Sequence, residues 1–129
     1  MKLLLDTHAV LWFWWDDARL AEHARRLIAD ASNEKLVSLA TPWEVAIKVS
    51  LGKLDVGEPF TGFFPTFMSR SSFEWLPMRQ QHFDQVVTLP FHHRDPFDRM
   101  LVSQALCEDI SLVSRERVFD AYGVRRVWD

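Results

Sequence analysis

The 129-residue chain contains one cysteine and four glycines, and it carries no excess of positive charge. Each shortage excludes something. Cys107 alone builds neither a disulfide framework nor a thiolate metal cage, and its setting in the apolar run LVSQALCEDI reads as a quiet core thiol suited to a reducing cytoplasm. The few glycines supply no G-x-G-x-x-G after the first apolar run, which opens into DTHAV and offers a dinucleotide pyrophosphate no cradle. No second aspartate stands two residues after Asp6, which argues against an aspartyl-phosphatase nucleophile there. Long apolar runs are also missing: MKLLLDTHAV is broken by Asp6 and has no small-residue cleavage site, so neither a signal peptide nor a membrane span is expected. A net charge of -3 and a pI near 5.9 argue against holding nucleic acid by bulk charge. They leave room for a local basic patch beside an acidic site.

At 48% hydrophobic, the sequence can bury a real core, and residues 1–129 read as one domain without linker, repeat or low-complexity tract. Leu3 to Leu5 predict a buried strand ended by Asp6 and Thr7. HAVLWFWW predicts a helix, followed by a second from Asp17 to about Ala31. Strands are expected at Leu36 to Ala40, Phe73 to Leu76, Ile110 to Val113 and Val124 to Trp128. Between them fall a helix from Thr41 to Gly52, a short one near Phe63 to Met68, and another from Arg79 to Val87. Strands separated by helices indicate a mainly parallel sheet covered on both faces. Trp12, Phe13, Trp14 and Trp15, with Phe60, Phe63, Phe64 and Phe67, exceed what one small core readily absorbs, which predicts an exposed partner surface at these two regions.

The chemistry gathers around HHRDPFDRMLVSQA. Asp95 reads as a helix N-cap with Pro96 at N1 and Asp98 at N3. Thr41-Pro42-Trp43-Glu44 repeats the pattern, with Glu44 at N3. Asp6 follows the first strand and Glu116 the fourth. In an open parallel sheet, ligands collect beyond the carboxyl ends of the strands, so Asp6, Glu44, Asp98 and Glu116 can converge there. Clustered carboxylates call for a cation, and all-oxygen donors suit Mg²⁺ or Mn²⁺ better than Zn²⁺. The same residues also fit a plainer reading, in which Glu44 and Asp98 cap helices while Asp6 and Glu116 are solvated turn acids.

LLDTHAVLW, TPWEVAIKVSLGKL and LPFHHRDPFDRMLVSQALCEDISLVSRERVFDAYGV together resemble the PIN-domain family, and within it the VapC-like toxins of bacterial toxin–antitoxin modules. The resemblance implies a three-layer α/β/α sandwich with a mainly parallel five-stranded sheet. It further implies homodimerisation and Mg²⁺- or Mn²⁺-dependent endoribonuclease activity neutralised by a cognate antitoxin, in the cytoplasm. Asp6, Glu44, Asp98 and Glu116 match the family's metal quartet, although Glu116 stands where many relatives have aspartate. Asp95 is an outer-shell candidate, and Thr7 and Ser114 are candidate supports for the carboxylates or for water. Lys48, Arg94, Arg99, Arg115 and Arg117 are candidates for the RNA backbone. Metal-assisted hydrolysis would leave 5'-phosphate and 3'-hydroxyl ends. The competing expectation is a non-catalytic interaction module with an acidic pocket.

Overall fold

The computed structural model describes all 129 residues. Its five strands are β1 (Lys2–Leu5), β2 (Glu34–Ser38), β3 (Glu74–Leu76), β4 (Ser111–Val113) and β5 (Arg126–Val127). They form one sheet in the order β3-β2-β1-β4-β5, and every pairing is parallel. Six α-helices lie between them: α1 (Thr7–Trp14), α2 (Glu22–Ala29), α3 (Ala40–Ser50), α4 (Phe63–Ser71), α5 (Gln80–Thr88) and α6 (Pro96–Glu108). A 3-10 helix spans Arg117–Tyr122. None of the helices is long and apolar enough to cross a membrane.

The period-2 alternation of β1 sorts the core into two layers. Leu3 and Leu5 join Val37 and Val113 on one face, beneath α1, α2 and α4. Leu4 joins Leu36, Leu76 and Leu112 on the other, beneath α6 and Phe119 of the 3-10 helix. All three leucines are fully buried, as a central strand in a two-sided sandwich requires. The three-layer α/β/α expectation therefore holds.

The aromatic residues expected to form a partner surface are partly drawn into the core, while Phe13, Trp15, Phe60 and Phe67 stay only half-buried. Trp12, Phe63 and Phe64 are buried, and Trp14 packs against Phe63, Phe64, Phe67 and Phe73 with ring centroids 5.3 to 5.9 Å apart. Rings from α1 and α4 fill each other's gaps, so one helix face does not have to bury them alone. Exposed apolar side chains gather elsewhere, at Trp43, Phe83, Val87 and Phe91.

Several boundaries also shift. The α2 helix begins at Glu22, because Asp17 instead accepts a hydrogen bond from the Arg19 backbone N–H and holds a turn. The proposed cap at Thr41 is absent: α3 starts at Ala40, Pro42 is its third residue and Glu44 its fifth. Strand β2 stops at Ser38, and its hydroxyl accepts from the Ala40 N–H at 3.0 Å. The α6 start is as expected, with Asp95 accepting from the N–H groups of Phe97 and Asp98 at 2.8 and 3.1 Å.

Arg99 departs most from its expected role at the substrate rim. It is only 6% exposed, and its guanidinium donates to the carbonyls of Val86, Leu89, Pro90 and His93 and to the Tyr122 hydroxyl. Its position on the inward side of α6 leaves it no route to a phosphate. It clamps the connection between α5 and α6, and its Cζ lies 4.1 Å from the Phe91 ring centroid. Arg99→Met should lower stability by about 3 kcal/mol by orphaning buried acceptors. Urea unfolding should register this loss, whereas exposed Arg115→Met should leave the midpoint nearly unchanged.

Candidate metal centre

Strand order places the switch in winding direction at β1, with β2 on one side and β4 on the other. The carboxyl ends of these strands frame a crevice, and the next residues of the chain turn into it. Asp6 follows β1 directly. Its backbone N–H donates to Val113 at 3.1 Å, and its side chain caps α1 by accepting from the Ala9 N–H at 2.8 Å. Glu44 arrives from the second turn of α3, Asp95 and Asp98 from the start of α6, and Glu116 from the turn after β4. Together with Thr7, His8 and Lys48 they line a cavity of about 140 Å³ whose wall has no apolar residue.

All four acids of the sequence-derived quartet therefore face one space, and Asp95 joins them. Thr7 also lies in the wall, where its hydroxyl donates to Glu44 at 2.6 Å. Ser114 stands behind it, fully buried, accepting from the Glu116 N–H at 3.0 Å. Lys48 sits one turn beyond Glu44 on α3 and donates to its second oxygen at 2.7 Å. The other proposed backbone contacts, Arg94, Arg115 and Arg117, are exposed outside this wall. Two histidines stand beside the acids. His93 lies 2.7 Å from Asp98 through Nε2, and its backbone N–H donates to the Tyr122 hydroxyl at 2.8 Å. His8 stacks on Trp12 and forms part of the cavity wall. An imidazole five residues before an acid gives no periodic signal when a proline loop separates them.

No three Asp, Glu, His or Cys side chains stand close enough, as placed, to ligate one ion. As placed, Glu44 is shared by Thr7 and Lys48, Asp98 faces His93, and Asp6 caps α1. The donor set nevertheless fits a hard divalent cation, since it consists of carboxylates and a hydroxyl with no thiolate. Electrostatics supports the fit. Burial, followed by the charges of Glu116 and Glu44, raises Asp6 to about 6 despite opposing contributions from Ser114 and the Ala9 N–H. Burial and the charges of Asp95 and Glu44 also raise Asp98 to about 6, against the opposing effect of His93. Burial pulls Lys48 downward, but Glu44 holds it above its ordinary value.

The raised Asp6 pKa carries a stability cost whose sign can be tested. Below 3.8 both folded and unfolded chains keep this proton. Between that value and about 6 the unfolded chain loses the proton while the folded chain retains it, so stability falls as pH rises. Asp6→Asn keeps an oxygen for the Ala9 N–H and removes the charge. In EDTA at about pH 8 it should gain at most about 3 kcal/mol, and the gain should fade by about pH 3.5. Urea midpoints measured at the two pH values check both the size and the direction.

The sequence matches the PIN-domain model over residues 3–124. Over 65 residues it is 34% identical to Ribonuclease VapC16 of Mycobacterium tuberculosis. That match covers 50% of this chain and 46% of the relative, so the chain spans about half the length of the curated relative it matches. Its fold aligns with a chain of Rickettsia felis VapBC2 bound to a promoter DNA fragment at a TM-score of 0.71 and 17% identity, covering 100% of both chains. With VapBC-1 of nontypeable Haemophilus influenzae the TM-score is 0.66 at 14% identity, covering 98% of this chain and 97% of the other. A Klebsiella pneumoniae toxin–antitoxin complex gives 0.64 at 18% identity, covering 97% and 95%. At such identities the solved structures speak to the fold. The family match, extending from β1 past the 3-10 helix on the parallel sheet described above, establishes that the chain belongs to the PIN-domain family.

Proposed function

We propose that the chain is a Mg²⁺- or Mn²⁺-dependent endoribonuclease, a VapC-like cytoplasmic toxin held in check by a cognate antitoxin. The observation that carries this reading is the cavity in which five carboxylates face one lysine at the carboxyl edge of a PIN-domain sheet. Asp6, Glu44, Asp98 and Glu116 would hold the ion, with Asp95 in a supporting position. A bound divalent ion supplies Lewis acidity toward a phosphodiester and a water activated at neutral pH.

The remaining roles belong to the chain. The Thr7 hydroxyl fixes one oxygen of Glu44, and Lys48 neutralises the other while standing at the edge of the cavity. His93 orients Asp98, and the Ser114 hydroxyl sets the turn that carries Glu116. Arg94, Arg115 and Arg117 are the exposed cations available to the RNA backbone, whereas Arg99 is committed to the fold. The non-catalytic alternative retains the same fold but requires the acid cavity to have little affinity for metal.

The homodimer in this reading is supported by the apolar surface rather than by the α1 and α4 rings. Trp43 and Phe91 are 59% and 76% exposed. With Phe83, Val86, Phe97 and Met100 they border a groove of about 540 Å³. A second copy of the chain covering this groove would bury aromatic anchors of the kind that dominate interfaces.

Two measurements test these assignments. Purified chain should cleave single-stranded RNA with Mn²⁺ and not with EDTA, while Glu44→Gln and Asp98→Asn should stay folded and lose about a hundredfold or more in rate. A folded wild-type chain without Mn²⁺ affinity in calorimetry would favour the interaction-module alternative. In sedimentation, wild type should run as a dimer at micromolar concentration, with Phe91→Glu shifting it to monomer. A wild-type monomer would remove the dimer assignment.

A further inference from the structure

Beside the acidic cavity lies a second pocket, of about 260 Å³, lined by Thr7, His8, Leu11, Trp12, Trp15, Arg19, Lys48, Lys53 and Leu54. Thr7, His8 and Lys48 belong to both walls, so the two spaces are adjacent. Their characters differ sharply. The acidic cavity has five carboxylates, whereas the wall of the second pocket has none and contains Arg19, Lys48 and Lys53. The Arg19 and Arg115 guanidiniums each lie 4.8 Å from the Trp12 ring centroid, so Arg115, from the turn after β4, stands near the pocket though outside its wall.

These cations differ in how far they are already engaged. Asp17 holds Nε and Nη2 of Arg19 at 3.1 and 2.7 Å, leaving Nη1 without a hydrogen bond. Lys53 and Arg115 are exposed, and no hydrogen bond or ion pair engages their side chains. Leu54 and the half-buried Trp15 give the pocket an accessible apolar side, and Leu11 and Trp12, nearly fully buried, complete its wall. Cations next to aromatic walls are the chemistry by which single-stranded nucleic acid is held without sequence readout: phosphate on the charge, base against the ring.

We propose that this pocket binds a nucleotide of single-stranded RNA flanking the phosphate presented to the acidic cavity. The proposal rests on the nuclease reading and adds to it a binding subsite made by Trp15, Arg19 and Lys53, with Arg115 beside it and the buried Trp12 holding the two guanidiniums. A polyanion cannot approach a cluster of carboxylates unless neighbouring phosphates are compensated. The pocket supplies compensation within one shared wall of the cavity. The groove near Trp43 does not, since its cations are Arg94 and the already saturated Arg99. An acidic peptide would satisfy the cations but would make less use of the Trp15 indole.

The test uses the full chain in EDTA, which prevents metal-dependent cleavage, and a fluorescent single-stranded RNA of about eight nucleotides. Lys53→Gln and Arg19→Gln should each weaken binding and reduce the slope of log affinity against log salt by about 0.7. Trp15→Ala should weaken binding about tenfold. Because Trp15 is half-buried, its thermal melt is checked, and the exposed Lys53 variant carries the test if Trp15→Ala unfolds. Arg70→Gln removes the same charge at the amino end of the sheet and should change neither quantity. Absence of saturable binding, or equal losses in Arg70→Gln and the pocket variants, would overturn the subsite. So would oligoglutamate binding as tightly with the same sensitivity to Lys53→Gln, since the pocket would then be a peptide site. Adding Mn²⁺ separates the two readings. Cleavage with variant-insensitive binding removes the subsite alone, whereas variant-sensitive binding without any cleavage removes the nuclease reading and leaves an RNA pocket.

Discussion

Mutual repulsion among Asp6, Glu44, Asp95, Asp98 and Glu116 is the constraint under which this end of the molecule is assembled. Five carboxylates around a cavity of about 140 Å³ oppose folding unless each is given some local compensation. The chain provides it in three ways. Asp6 and Asp95 cap α1 and α6, where backbone N–H groups and the positive ends of the helices favour negative charge. Thr7 and Lys48 divide the two oxygens of Glu44 between them. His93 meets Asp98, and its own loop is tied to Tyr122 and to the buried Arg99. What remains uncompensated is visible in the raised Asp6 and Asp98.

Capping and site formation are consequently not rival explanations of the same acids. An N-cap carboxylate must lie at the mouth of its helix, and in a parallel sandwich those mouths open at the carboxyl edge of the sheet. The local rule that starts α6 at Asp95 also delivers Asp98 to the crevice. The same holds for Asp6, whose backbone remains in the sheet through Val113 while its side chain serves α1. The N-cap reading is correct for Asp95, whereas Asp6, a solvated turn acid in the plainer reading, is buried and caps α1, and neither role removes its residue from the cavity.

Legibility in the sequence followed the range of the interactions. The three leucines of β1, the proline start of α6 and the acids at element ends were readable because each signal is local. The resemblance joined them into a PIN-domain sandwich, which the strand order and family match bear out. The start of α3 was misread because the hydroxyl of Ser38, not that of Thr41, meets the free N–H. Arg99 was misread because a charged residue beside a cluster of acids looks exposed, and only the folded loop supplies its carbonyl partners. The rings of α1 and α4 looked excessive because sequence does not show that two aromatic helices pack together. Arg19, Lys53 and Arg115 lie far apart along the chain, and only Trp12 brings two of them to one place.

Lys48 stands where the two charge regimes meet. Its spacing from Glu44, one helical turn, gives the acid cavity a resident positive charge, and its side chain forms part of the wall of the neighbouring basic pocket. Under the proposed reading a divalent ion held by Glu44 would compete with this ammonium, because both would seek the same carboxylate. The contest favours the ion by charge, while the lysine has the advantage of being tethered. Once released from Glu44, the ammonium need not return to bulk water, since the wall it already occupies is the one across which an RNA phosphate would pass under the proposed reading. Under that reading one side chain would offset the carboxylates without an ion and the substrate charge with one.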